Sequence, residues 1–175
     1  MTVFDRQDDQ KLKVAFPIQS VGGAHTGDNI IDTAGFKAAV IYIVAGTLTD
    51  STWTFQVSAS DAANMANAVV ASTANGDLIE HNITMDGSQS TTAPGTVATI
   101  TDTPLTFAGA AGADSNKVRR AAYVGPHRYL RVALVGAAVE DKKGEKDNRK
   151  LGVTAAYFGA FIELLEPDVK PVLQD

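Results

Sequence analysis

At 175 residues, with 15 Lys and Arg against 20 Asp and Glu and no cysteine, the chain has room for one domain with a self-sufficient core. It cannot be stapled by disulfides or hold a thiolate metal centre. A net charge of −5 repels phosphate backbones, which excludes nucleic acid as the main partner. Hydrophobic content of 45% with 20% charged residues is that of a folded globular protein. The start, Met1 to Gln10, lacks a charged-then-apolar signal pattern, and no run reaches the ~18 apolar residues of a membrane span. The expectation is a protein without a membrane segment, made in a cytoplasm.

Residues 1–13 are polar and charged without a period and read as an N-terminal arm. The body is expected over 14–165, opening with a strand at Val14–Ile18 that Pro17 marks as an edge. Ser20–Gly27 reads as loop, and Asp28–Asp32 as a short strand before the turn at Ala34-Gly35. Phe36–Ala45 is apolar on both alternating sets, the mark of a strand covered on both sides. Trp53–Ser60 alternates cleanly, with Trp53, Phe55, Val57 and Ala59 on one face and Thr54, Gln56 and Ser58 on the other. The tight connection between these two strands predicts an antiparallel hairpin.

Residues 61–70 hold the one helix candidate, capped by Ser60 or Asp61, with Met65, Ala66, Val69 and Val70 on one side. The stretch 72–96 is rich in Ser, Thr, Gly and Asn and reads as a long excursion. Short strands are expected at Val97–Thr101 and Leu105–Phe107, then a Gly/Ala loop at Ala108–Ser115. Val118–Val124 and Tyr129–Val135 flank the Gly125-Pro126 break as strand, turn, strand, with Leu130, Val132 and Leu134 on one face. Residues 140–150 are a charge-dense connection. Leu151–Leu165 closes the body as a strand apolar on both faces, and 166–175 is an extended tail. Eight to ten short strands without intervening helices predict an all-β fold: an antiparallel β-sandwich, jelly-roll-like, with at most one short helix near 61–70.

Candidate chemistry is sparse. His25, His81 and His127 lack partners at metal-ligand spacing, so neither metal nor cofactor is expected. Asp28, Asp32, Asp50 and Asp61 flank strands as turn formers do, and nothing selects a catalytic pair among them. Trp53 reads as a core anchor; a sugar-stacking platform is the competing reading. Arg119, Arg120, Arg128 and Arg131 are a local concentration of arginines, either a patch for an acidic partner or a solvated hairpin face with Arg stems covering apolar surface.

Asp32-Thr-Ala-Gly-Phe36, the apolar strand ending Ala45-Gly-Thr-Leu48, and Tyr123-Val-Gly-Pro-His-Arg-Tyr-Leu-Arg131 resemble segments of small tailed-bacteriophage virion proteins, among them capsid decoration or cement proteins. The similarity spans roughly residues 28–60 and 118–164. It implies a non-enzymatic β-sandwich that binds the major capsid protein on the outer surface of a virion, as a homo-oligomer, with a trimer favoured. Arg128, Tyr129 and Arg131, with Phe4 and Arg6 on the arm, are then the candidate partner-contacting residues. A carbohydrate- or receptor-binding module of such a particle is the alternative.

Overall fold

Alternation of large apolar with small polar side chains gives this chain strands with one greasy face, and two such faces hide from water by stacking. The computed structural model describes residues 10–27, 29–49, 51–72, 75–81, 105–109, 112, 114–138 and 156–167. These form eleven strands: β1 (Gln10–Val21), β2 (His25–Thr26), β3 (Ile31–Asp32), β4 (Phe36–Ala45), β5 (Thr52–Ser60), β6 (Val69–Val70), β7 (Leu78–His81), β8 (Thr106–Ala108), β9 (Val118–Tyr123), β10 (Tyr129–Ala138) and β11 (Ala156–Pro167). The expected all-β, antiparallel sandwich is what the chain adopts.

One sheet has the order β1-β11-β4-β9-β7; the other runs β2-β10-β5-β6, with β3 also paired to β10 and β8 to β5. Every pairing is antiparallel. The chain crosses from sheet to sheet at nearly every connection, and the four-strand cores β1-β11-β4-β9 and β2-β10-β5-β6 make the layout a jelly roll. Two expectations are thereby corrected. β4 and β5 are not a hairpin, because they lie in different sheets, and β9 and β10 likewise turn a corner between sheets. Both connections have hairpin chemistry, but each strand finds its hydrogen-bond partners far along the chain: β11 and β9 for β4, and β10 for β5.

An aromatic cluster joins the layers. Phe55 of β5 stands edge-on to Phe16 (6.1 Å), Phe107 (6.0 Å) and Phe158 (5.0 Å), and Trp53 leans on Phe158 at 5.3 Å. All five rings are fully buried. Around them pack Ile41 and Ile43 of β4, Leu130 and Leu134 of β10, and Ile162 of β11. The inward sets of β5, β10 and β11 are those read from the alternation.

Residues 61–70 are not a helix. Ser60 Oγ accepts the Ala62 N–H and donates to the Ala66 carbonyl, Asn64 Oδ1 accepts the Ala66 N–H, and Met65 and Asn67 adopt positive φ. Side chains that bond the local backbone compete with helix formation, and the segment becomes a run of turns leading to β6. β1 starts at Gln10, so residues 10–13 belong to the sheet and not to an arm, while Glu166 and Pro167 extend β11 into the predicted tail. The Ser20–Gly27 loop contains the short β2. Residues 97–101 and 140–155 lie outside the described residues.

The Ala108–Ser115 loop is tied down where it is described. Asp114 Oδ2 accepts the Ala108 N–H at 2.6 Å, and its carboxylate meets Lys117 Nζ and Arg119 Nη2, each at 3.1 Å. Burial alone would raise the Asp114 pKa, but these donors outweigh it and hold the group below its usual value. The Arg119 guanidinium also lies over the Phe107 ring at 5.2 Å.

Candidate interaction site: a locked corner and an apolar outer face

Two of the three segments on which the virion-protein resemblance rests, 32–36 and 123–131, meet at one corner of the sandwich. β3 pairs with the start of β10, Ile31 opposite Leu130 and Asp32 opposite Tyr129. Both the Thr33 N–H and its hydroxyl donate to the Arg128 carbonyl, at 3.0 and 2.7 Å. Asp32 Oδ1 accepts the Ala34 N–H, the Phe36 N–H closes on the Thr33 carbonyl, and Gly35 at φ 83 supplies the left-handed third position of a type II turn.

Arg128 grips Asp32 with two parallel bonds, Nε to Oδ1 and Nη2 to Oδ2, both 2.7 Å. That fork-to-fork pair lowers the Asp32 pKa to about 2, chiefly through the Arg128 hydrogen bonds. The same guanidinium lies 5.0 Å from the Tyr129 ring centre. Asp61, at the end of β5, joins in: Oδ2 lies 3.1 Å from His127 Nδ1, and Oδ1 accepts the Arg128 N–H. The His127 bond is the main reason the Asp61 pKa falls below its usual value. The Tyr123 hydroxyl accepts the His127 N–H at 3.0 Å. Gly125 crosses the Tyr123 ring so closely that a Cβ there would sit 2.6 Å from the phenol oxygen.

Beside this lock lies an open hollow of about 300 Å³, bounded by Thr33–Ala39 on one side and Tyr123 and Gly125–Arg128 on the other. Lys37 and Pro126 are exposed on its rim.

The predicted contact residues therefore divide. Arg128 and Tyr129 sit at this corner, but the Arg128 guanidinium is spent on Asp32 and on the Tyr129 ring; the pair first locks the fold. Arg131 is half-buried opposite Ser58 on β5, and its Nε is buried with no hydrogen-bond partner. Phe4 and Arg6 lie outside the described residues. Of the four aspartates considered for catalysis, Asp32 and Asp61 both converge on Arg128, and a carboxyl titrating near 2 is a poor proton donor; Asp28 and Asp50 lie outside the described residues. Trp53 is fully buried and is no sugar platform. Among the described residues no group of three or more His, Asp or Glu is placed to hold a metal, and no helix is long and apolar enough to cross a membrane.

The outer face of the five-stranded sheet is the second feature. Across β1, β11, β4 and β9 the outward rows are Ile18–Gly159–Val44–Val118, Val14–Phe161–Tyr42–Arg120 and Leu12–Glu163–Val40–Ala122. Ile18, Leu12 and nearby Tyr157 are 67%, 64% and 60% exposed. The Tyr42 hydroxyl donates to Glu163 Oε2 at 2.7 Å, and burial followed by that carboxylate raises the Tyr42 pKa. Sequence reading found the surplus of apolar residues in β4 and β11, but not the share of β1, whose bulges between Val14 and Gln19 interrupt the alternation.

No protein-family profile, curated protein or solved structure matches this chain.

Proposed function

We propose that this protein is a structural component of a tailed-phage particle that attaches to the outer surface of the capsid and stabilises it, with the major capsid protein as its partner. The observation that carries this reading is the convergence of residues 32–36 and 123–131 at one corner, bonded to each other through Asp32, Thr33 and Arg128. Two of the segments that resemble small virion proteins thus form a single three-dimensional unit beside a hollow, although about 90 residues separate them in the chain. A jelly roll, an architecture that recurs in viral capsid and lectin domains, agrees with the reading. Many copies held by modest contacts gain strength from repetition across a shell.

The test uses capsids that lack the protein. Added purified chain should co-sediment with them in a saturable ratio and raise their resistance to heat or osmotic shock. Lys37→Glu, on the exposed rim of the hollow, should weaken this binding without altering the fold. Capsids that take up none of the wild-type chain contradict the proposal.

A further inference from the structure

We propose that the outer face of the five-stranded sheet is a self-association surface on which a second copy of this chain packs face to face about a two-fold axis. Leu12, Ile18 and Tyr157 are each more than half exposed on this face; Phe161 stands beside them on β11, and Val40 and Val44 continue the face on β4. Exposed apolar area of this extent marks a contact surface.

The β1 edge of this sheet does not serve instead. β1 carries Lys11 and Lys13, Pro17 and two register shifts, the devices by which an edge strand refuses an incoming strand. An occupant beside Leu12 and Ile18 therefore lies over the sheet and does not extend it at β1.

Area and charge both favour a second copy. With strands about 4.8 Å apart and about 3.3 Å per residue, five strands over roughly eight residues give a plane of about 600 Å², near the ~800 Å² each partner contributes to a standard-size complex. The chain as a whole carries −5 and repels its copies. Among the described side chains in the outward rows of this sheet, the charged ones are Arg120 and Glu163, which cancel. They flank β4 on opposite sides, Arg120 on β9 and Glu163 on β11. A two-fold axis running along β4 lays the β11 side of one copy on the β9 side of the other, so each Glu163 comes to lie over Ala122, one row along β9 from the opposite Arg120. A surface that is complementary to itself under a two-fold closes as a dimer and grows no further.

This inference is independent of capsid attachment: a monomer that still binds capsids overturns it and leaves the attachment proposal standing, and the reverse result does the opposite. The experiment is sedimentation equilibrium of the full chain over roughly 1–100 μM. A mass tending to twice the 18.3 kDa of one chain is expected. Leu12→Glu and Ile18→Glu, both at exposed positions, should each raise the dissociation constant at least about tenfold, with the far-ultraviolet circular dichroism of the parent. Thr54→Glu, on the opposite sheet, should leave it unchanged. A monomer or a trimer throughout, or a dimer indifferent to both face variants, overturns the proposal.

Discussion

The two sheets share one core yet turn different surfaces outward. On β4 the outward residues are Ala38, Val40, Tyr42 and Val44; on β5 they are Thr52, Thr54, Gln56 and Ser58. Most neighbours follow suit, with Phe161 and Val118 beside β4 and Thr106, Arg131 and Thr26 around β5 and β10, while Val70 of β6 and Val135 of β10 are exposed apolar exceptions on the second sheet. Both patterns satisfy the sandwich equally, since only inward residues fill the core. The difference is therefore not needed for folding, and it separates what the chain spends on its own stability from what it keeps for contact.

Substitutions therefore sort by location. Phe55→Ala removes the ring that Phe16, Phe107 and Phe158 all contact. It should cost about 3–5 kcal/mol in denaturant unfolding and weaken both sheets together. Gly125→Ala drives a methyl into Tyr123 and disturbs the corner that joins β9 to β10, for a loss of about 1–3 kcal/mol. Val40→Thr or Val44→Thr makes the apolar face resemble the polar one. Each should move the stability of dilute protein by no more than about 0.5 kcal/mol while raising solubility. A large stability loss there would erase the distinction between the faces.

The smallest effect belongs to the corner lock. Asp32 titrates at about 2 in the folded chain against an ordinary 3.8. Its contribution to stability is therefore complete above pH 3.8 and fades as the pH falls toward 2. Because the pair is half exposed, the contribution is modest. Acid unfolding of Asp32→Asn, monitored by circular dichroism, should show a shallower loss across that window than the parent.

The faces were legible in the sequence wherever alternation is uninterrupted. Trp53 to Ala59, Leu130 to Leu134 and Phe158 to Leu164 each place their inward residues where two-residue periodicity puts them. The double-sided apolar character of Phe36–Ala45 announced the greasy outer face. Partner choice was not legible. Nothing local tells that Asp32 will find Arg128 96 residues away, or that Ala45-Gly-Thr-Leu48 leads across to the other sheet instead of back along its own. Those outcomes depend on which strands bury area together, and a hairpin and a corner use the same turn residues. The helix expected at 61–70 failed for a readable reason: Ser60 and Asn64 are residues that capture backbone groups, and Val69 and Val70 end up exposed on β6. Asp114 gave no signal beyond its place among glycines and alanines, although Lys117 and Arg119 follow it closely.

The most direct test is hydroxyl-radical footprinting of the chain at low and high concentration, read at Leu12, Ile18 and Tyr157 on one outer face and at Tyr129 and Val70 on the other. Oxidation of the first three should fall as concentration rises while the second pair stays constant. Equal oxidation of both faces at every concentration, or protection confined to Tyr129 and Val70, would contradict the assignment of the five-stranded sheet as the contact surface.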